Sequence, residues 1–423
     1  MPKQLIGPFT EMVTMDHLPH SGAIEDRQLE IVRDGGLLIE GETIVKVLQA
    51  MEFKEMRKKA DRADVPFQFF EVERDAVLLP GFIDSHTHMC FAGSRAKDYA
   101  RRLAGESYLD IVHTGGGILS TVELTRQASE DELVSSLSLR ARKHLLGGVT
   151  TSEVKSGYGL NLEDEVKMLR AIRRVNALEG PYPELIPTCL AAHINPPEFA
   201  SAAEYLDFVM GKVLPRVWEE HLAERVDIYV EESAFPPEMA KTFLHDAKRL
   251  GFAATVHADQ FSVGGSQVAA EAKAVSADHL EQSTDKELGL LMEGHVIATV
   301  LPGSSLGLGL PFAHAREMLD KGLCLVIASD WNPGSAPLGD LLTLAALLGA
   351  NQKLSIAETL AGITVRAARV LGLEDRGVVR EGMRADLVCF SCGGLEEVLY
   401  HQGALRPSLI VHGGRRLERS MEA

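Results

Sequence analysis

"AVLLPGFIDSHTHM", residues 76 to 89, starts as an apolar strand and ends in titratable side chains. Pro80 and Gly81 lead in, Asp84 stands two residues before His86, and His88 two after it. Strand side chains alternate between faces, so Asp84, His86 and His88 are expected on one side. Seven more runs share this grammar, apolar or β-branched first and polar at the end. They are "GVTTSEVKSGYG" (148–159), "ELIPTCLAAHIN" (184–195), "VDIYVEESAF" (226–235), "FAATVHADQF" (252–261), "AVSADHLE" (274–281), "VIATVLPGSS" (296–305) and "CLVIASDWNPGS" (324–335). The stretches between them have helical period. In "EDEVKMLRAIRRVNAL" (163–178), Val166, Leu169, Ile172 and Val175 form one apolar stripe opposite charge. Ser129 and Glu132 have capping-box spacing at the head of another helix. Strands alternating with helices imply parallel β/α units, and eight of them imply an α/β fold, a closed (β/α)8 TIM-like barrel. Catalytic side chains of such barrels lie at the C-terminal ends of the strands, where these histidines and acids fall.

The flanks read differently. "GGLLIEGETIVKVLQA", "FQFFEVERDAVLL", "RADLVCFS" and "PSLIVHGGRRL" are short strands with glycine turns, too few on either side for a stable sheet. Residues 1–79 and 376–423 are therefore expected to combine into one small composite β-sandwich, leaving 80–375 as the barrel. The charged stretch 52–65 reads as a solvated helix or loop, and 356–372 as a closing helix.

The net charge of −17 disfavours nucleic acid and anionic membranes as partners, though not a small anionic substrate. Five scattered cysteines are no disulfide framework, and the lone pair Cys389 and Cys392 reads as two strand-end residues rather than a zinc site. No signal-like or membrane-spanning run is present, so a cytoplasmic location is expected.

A His-x-His alone is weak evidence. It gains weight from His257 and Asp330, which end two later strands. Three imidazoles and a carboxylate suit one Zn²⁺ or Fe ion per chain and not Mg²⁺ or Ca²⁺, which want oxygen shells. Asp330 can take the proton of an activated water. His279 either polarises the carbonyl under attack or is a hydrogen-bonded barrel histidine, and His193 has the same two readings. Lys155 reads as a structural ion pair, with a metal-bridging carboxylated lysine as the other option. His295, His314 and His401 lie outside strand ends and read as ordinary surface or loop residues.

"PGFIDSHTH", a late-strand His, "SADHLE" and a final "SD" resemble the amidohydrolase superfamily. "AGSRAKDYARRLAGESYLDIVHTGGGILSTVELTRQAS", "EVKSGYGL", "LAAHINPPEF" and "SDWNPGS" are similar, from about residue 80 onward, to its imidazolonepropionase branch. The resemblance implies a barrel with a composite sandwich. It also implies ring opening of 4-imidazolone-5-propanoate at its cyclic amide to N-formimidoyl-L-glutamate, a step of histidine degradation. By the same resemblance His86, His88, His257 and Asp330 hold the metal, and His279 acts on the carbonyl side. Arg95, Tyr158, His193 and Gln260 touch substrate, and Asn332, Gly334 and Ser335 meet its amino-acid-like part. Members reading "HADE" carry Glu where Gln260 stands here, so Gln260 can hydrogen-bond but not shuttle protons. Arg95 is expected to meet the substrate carboxylate against a barrel mouth carrying Asp84, Asp259 and Asp330, with Tyr158 and His193 assisting. Alternatives are a deaminase of a nitrogenous ring, or a barrel scaffold without chemistry, which the four filled ligand positions disfavour. A homodimer is the commonest assembly for such a chain.

Overall fold

The computed structural model describes residues 3–60, 67–72, 75–106, 110–111 and 115–418. All eight expected barrel strands are present in it. They are β6 (Phe82–Asp84), β7 (Val149–Lys155), β8 (Glu184–Ala192), β9 (Arg225–Val230), β10 (Ala253–Ala258), β11 (Ser276–His279), β12 (Ile297–Val300) and β13 (Leu325–Ile327). They hydrogen-bond in sequence order, and the pairs β8–β9 to β12–β13 are parallel. Just beyond the strands, the Asp330 amide donates to the His86 carbonyl at 3.0 Å and the His88 amide to the Trp331 carbonyl at 2.9 Å. These bonds bring the two edges of the sheet together, giving a nearly closed barrel.

The opening stretch is not one strand. Ala76–Pro80 forms β5, which belongs to a second sheet, and only after Gly81 does the chain enter β6. A Cβ on Gly81 would lie 2.3 Å from Thr150 Oγ1, so glycine allows the close approach to β7. The second sheet interleaves both termini: β1 (Lys3–Val13), β2 (Ile31–Glu40), β3 (Thr43–Leu48), β4 (Phe67–Glu71), β5, β14 (Leu387–Ser391), β15 (Leu409–His412) and β16 (Arg415–Glu418). β5 joins the two sets, with β1 on one side and β14 on the other. β1 pairs β4 along Lys3–Gly7 and β5 at Glu11 and Met12, so the sheet splits there. Its apolar core includes Ile6, Phe9, Met12, Leu37, Leu78, Leu387 and Val411.

The chain divides into two compact units, residues 1–85, 143–151 and 340–423 in one, 86–142 and 152–339 in the other. The helix over the apolar stripe runs Leu162–Asn176, capped by Asn161, whose side chain accepts from the Asp164 amide at 2.8 Å. The Ser129–Glu132 box forms as expected, Ser129 N donating to Glu132 Oε2 at 2.8 Å and Glu132 N to Ser129 Oγ at 3.2 Å. The closing helix is instead two, Ile356–Gly362 and Val365–Val370. The break between them frees the Ile363 carbonyl to accept from the Ile83 amide at 2.8 Å. Within the charged stretch 52–65 a helix, Ala50–Ala60, covers the start, and residues 61–65 lie outside the described residues. Residues 107–109 and 112–114 of the motif at 92–129 lie outside them too.

Candidate active site

β6, β10, β11 and β13 deliver His86, His88, His257, His279 and Asp330 to one end of the barrel, all at most 3% exposed. His86 Nε2 is 3.2 Å from His88 Nε2, which is 3.3 Å from His257 Nε2. Asp330 Oδ1 lies 3.7 Å from His86 Nε2 and 3.4 Å from His88 Nε2. Four ligands about 2.0–2.1 Å from one ion in a tetrahedron stand roughly 3.3 Å apart, so these atoms fit a single transition-metal ion. His86, His88 and His257 could hold such an ion. Two of them turn their other ring nitrogen to a carboxylate: His86 Nδ1 to Asp278 Oδ2 at 2.7 Å and His257 Nδ1 to Asp227 Oδ2 at 3.0 Å. That arrangement places the hydrogen on Nδ1 and leaves Nε2 as the ligand atom. Burial first, then the neighbouring histidines and Lys155, pushes His86 and His88 far below the usual histidine range. Burial brings His257 down to about 4 against the pull of Asp227. All three are neutral at physiological pH, the form that binds metal.

Beneath this cluster runs a buried ionic layer. Lys155 Nζ lies 2.7 Å from Glu153 Oε1 and 2.8 Å from Asp227 Oδ2. A carboxylated lysine would be an anion facing two anions, so the ion pair is the fitting state. Asp227 thus links the Lys155 ammonium to His257, and its carboxyl is held well below the usual range: burial opposes this, but His257 and Lys155 prevail. Burial raises Asp278 to about 7 despite Lys155.

Burial raises Asp330 to about 6 despite His279 and Asn332. Burial works against protonation of His279, yet Glu281, with Asp330 and Asp278, raises it overall. Glu281 Oε2 lies 3.5 Å from His279 Nδ1, and its other oxygen accepts from Ser305 Oγ at 3.0 Å. Asp330 has φ 54° and His279 φ 90°, left-handed conformations costing about 1–3 kcal/mol each in a non-glycine residue.

The other expected residues fall around this centre. The ring of His193 stacks on His88 at 5.4 Å, and Tyr158 lies 5.6 Å from His193. The loop carrying Tyr158 is held by buried Glu165, which accepts from the amides of Gly157, Gly159 and Leu160. Gln260 accepts from the Tyr229 hydroxyl at 2.8 Å and donates to Ser304 Oγ at 3.0 Å, so both ends of its amide are held. Arg95 Nε pairs with Asp98 Oδ2 at 3.0 Å. A Cβ on Gly334 would lie 2.3 Å from Arg95 Nη1, so a side chain there would push that guanidinium aside. Asn332 spends its side chain on its own loop, accepting from the amides of Gly334 and Ser335 at 2.8 Å and donating to Ser335 Oγ at 2.9 Å.

Two acids depart from expectation. Asp84 does not join His86 and His88; its Oδ2 lies 3.0 Å from His144 Nε2, fully buried. β6 ends at Asp84, so strand alternation does not carry through to the histidines. Asp259 is consumed by Ser283 Oγ at 2.7 Å, the Gly264 amide at 3.0 Å and Ser266 Oγ, and holds a loop. Neither charges the barrel mouth. Asp227, Asp278 and Glu281 escaped the reading of strand ends. The first two sit inside strands, and the signal for them was an acid in an otherwise apolar run.

A parallel barrel with three imidazoles and a carboxylate at its C-terminal end defines the class of barrel hydrolases that activate water. A profile of the amidohydrolase family matches residues 77–405. The imidazolonepropionase of Myxococcus xanthus is 43% identical over 339 residues, 79% of this chain and 80% of that protein. The imidazolonepropionase of Bdellovibrio bacteriovorus is 36% identical over 397 residues, 93% of this chain and 91% of that one. Among solved structures, an atrazine chlorohydrolase mutant from Arthrobacter aurescens, complexed with zinc and atraton, superposes with TM-score 0.66 at 18% identity, covering 99% of this chain and 97% of that one. The chain belongs to the amidohydrolase family and, within it, to the imidazolonepropionases, hydrolases acting on C–N bonds. Among the described residues no helix is long and apolar enough to cross a membrane.

Proposed function

We propose that the protein, in the cytoplasm, hydrolyses the cyclic amide of 4-imidazolone-5-propanoate to N-formimidoyl-L-glutamate. The carrying observation is the convergence of three Nε2 atoms and one carboxylate oxygen beside His279, in a chain whose relatives bear that enzyme's name. His86, His88, His257 and Asp330 would hold one Zn²⁺ or Fe ion. Such an ion lowers the pKa of a water to about 7 and so supplies a nucleophile at neutral pH.

The remaining work falls to side chains. Asp330 takes the proton of the attacking water and returns it to the ring nitrogen as the C–N bond breaks. As an ionised carboxylate beside that water it can accept the proton and hand it on. His279, kept basic by Glu281 behind its Nδ1, presents Nε2–H to the carbonyl oxygen, where negative charge develops. Gln260, oriented by Tyr229 and Ser304, hydrogen-bonds the ring. An amide at this position can hold the ring without taking part in proton transfer.

His193 takes a different part from the one expected. Its Nδ1 faces the Gly157 carbonyl at 2.9 Å and therefore carries hydrogen. Burial first, with His257, drives its pKa down to about 3, leaving the ring neutral. Nε2 is then only an acceptor, suited to a substrate N–H and not to a carboxylate. The propionate is left to Arg95, whose planar fork suits a carboxylate, while Gly334, Asn332 and Ser335 shape the wall beside it. Identifying the product by NMR tests the proposal. N-formimidoyl-L-glutamate without ammonia supports it, whereas ammonia release with the ring intact identifies a deaminase and refutes it.

A further inference from the structure

A cavity of about 350 Å³ opens beside the loops that follow His88 and Asp330. Its walls include Phe91, Arg95, Tyr99, Arg140, Trp331 and Asn332. The charged residues lining it are two arginines, with no acid among them. Arg95 gives its Nε to Asp98, which also accepts from the Gly117 amide at 2.9 Å. Arg140 differs. Its Nη1 donates to the carbonyls of Met89 at 2.8 Å and Phe91 at 2.9 Å, and its guanidinium carbon lies 3.5 Å from the centre of the Phe91 ring. No carboxylate among the described residues forms an ion pair with it. Burial pulls its pKa down to about 10, consistent with a cation that has lost water without gaining an anion. A partly desolvated, uncompensated guanidinium is costly in the empty protein. In a chain of net charge −17 there was no shortage of acids to pair with it.

We infer that this cavity is a two-arginine carboxylate subsite, in which Arg140 acts beside Arg95 as a specificity-determining residue for a short-chain carboxylate. Taken with the reading above, on which this assignment of the occupant rests, that group is the propionate arm of the substrate. The carbonyls of Met89 and Phe91 and the face of Phe91 hold the Arg140 fork in place before the ligand arrives, which reduces the ordering cost of binding.

The test uses glutarate and its uncharged diamide as probes, titrated calorimetrically into the full metal-loaded chain, so it does not depend on turnover. Arg140→Met should weaken glutarate roughly ten- to a hundred-fold, the range for losing a hydrogen bond to a charged group. It should change diamide binding less than about twofold, because the diamide carries no charge for Arg140 to meet. Equal weakening of both probes means that Arg140 only braces the Met89–Phe91 turn, and unchanged glutarate binding means that it does not face the ligand; either overturns the inference. If Arg140→Met does not fold, Arg140→Lys decides, since it keeps the charge and a donor but loses the fork. Glutarate binding as tight as to the native chain then overturns the inference, and clear weakening with the diamide unaffected supports it. A protein that binds glutarate through Arg140 yet leaves imidazolonepropionate intact would refute the proposed reaction and not the subsite.

Discussion

Replacing Lys155 by Met removes the cation on which the buried layer under the metal ligands depends. Lys155 is 1% exposed, and its ammonium is shared by Glu153 at 2.7 Å and Asp227 at 2.8 Å. Met matches the length of the side chain but leaves two carboxylates facing each other in the barrel interior, with Asp278 nearby. Breaking a buried pair by deleting one partner costs about 3–5 kcal/mol, most of it the penalty on the charge left behind. Taking a urea m-value of at least about 3 kcal/mol/M, the upper end for small proteins, the unfolding midpoint of this 423-residue chain should fall by up to roughly 1–1.7 M. The assay is urea unfolding followed by circular dichroism, on the metal-free protein so that ligand binding does not mask the loss. Adding Asp227→Asn should recover part of the stability, because it removes one stranded charge; contacting residues couple by about 0.5–3 kcal/mol. An unchanged midpoint for Lys155→Met, or losses that simply add in the double variant, would refute a cation holding Asp227 against His257.

Asp330→Asn should lower turnover by about 10²–10⁴-fold, since an amide cannot carry the water's proton; near-normal steady-state turnover in a metal-loaded variant would remove Asp330 from that role. Arg95→Gln should raise KM roughly ten- to a hundred-fold with metal content unchanged. A substrate analogue amidated at the propionate should be nearly indifferent to the change, and full additivity of the two losses would exclude Arg95 as the carboxylate's partner. Metal affinity should be flat from pH 8 to about 6, because the three imidazoles are already neutral there. Below the Asp330 value of about 6 a proton must leave as metal enters, so affinity should drop about tenfold per pH unit, more steeply below about 4 as His257 protonates. Competition with a chelator of known protonation measures this, and a steep fall already between pH 8 and 7 would contradict the depressed histidine values.

Much of the architecture was legible because barrel strands announce themselves locally: a short apolar run, a polar end, then a helix of period 3.6. The His86–His88 pair, His257 and Asp330 could be singled out because each ends such a run. What alternation could not show was which sheet a strand joins. Residues 76–80 and 82–84 read as one strand, yet Gly81 passes the chain from one sheet to the other, and Asp84 turns to His144 instead of the histidines two and four residues on. Partners distant in sequence were equally hidden. Asp278 meets His86 across 192 residues, and nothing local marks that acid as a brace for an imidazole. Arg140, in the middle of a helix, carries no local mark of its place, which is set by the turn after His88 packed against it.

The most direct measurement titrates metal-free protein with Zn²⁺ while following loss of the imidazolone absorbance. Ring opening should rise linearly and stop at one equivalent per chain, and His88→Ala should abolish both the tight binding and the rise. Full activity without metal, or a break at two equivalents, would contradict a single ion held by His86, His88, His257 and Asp330.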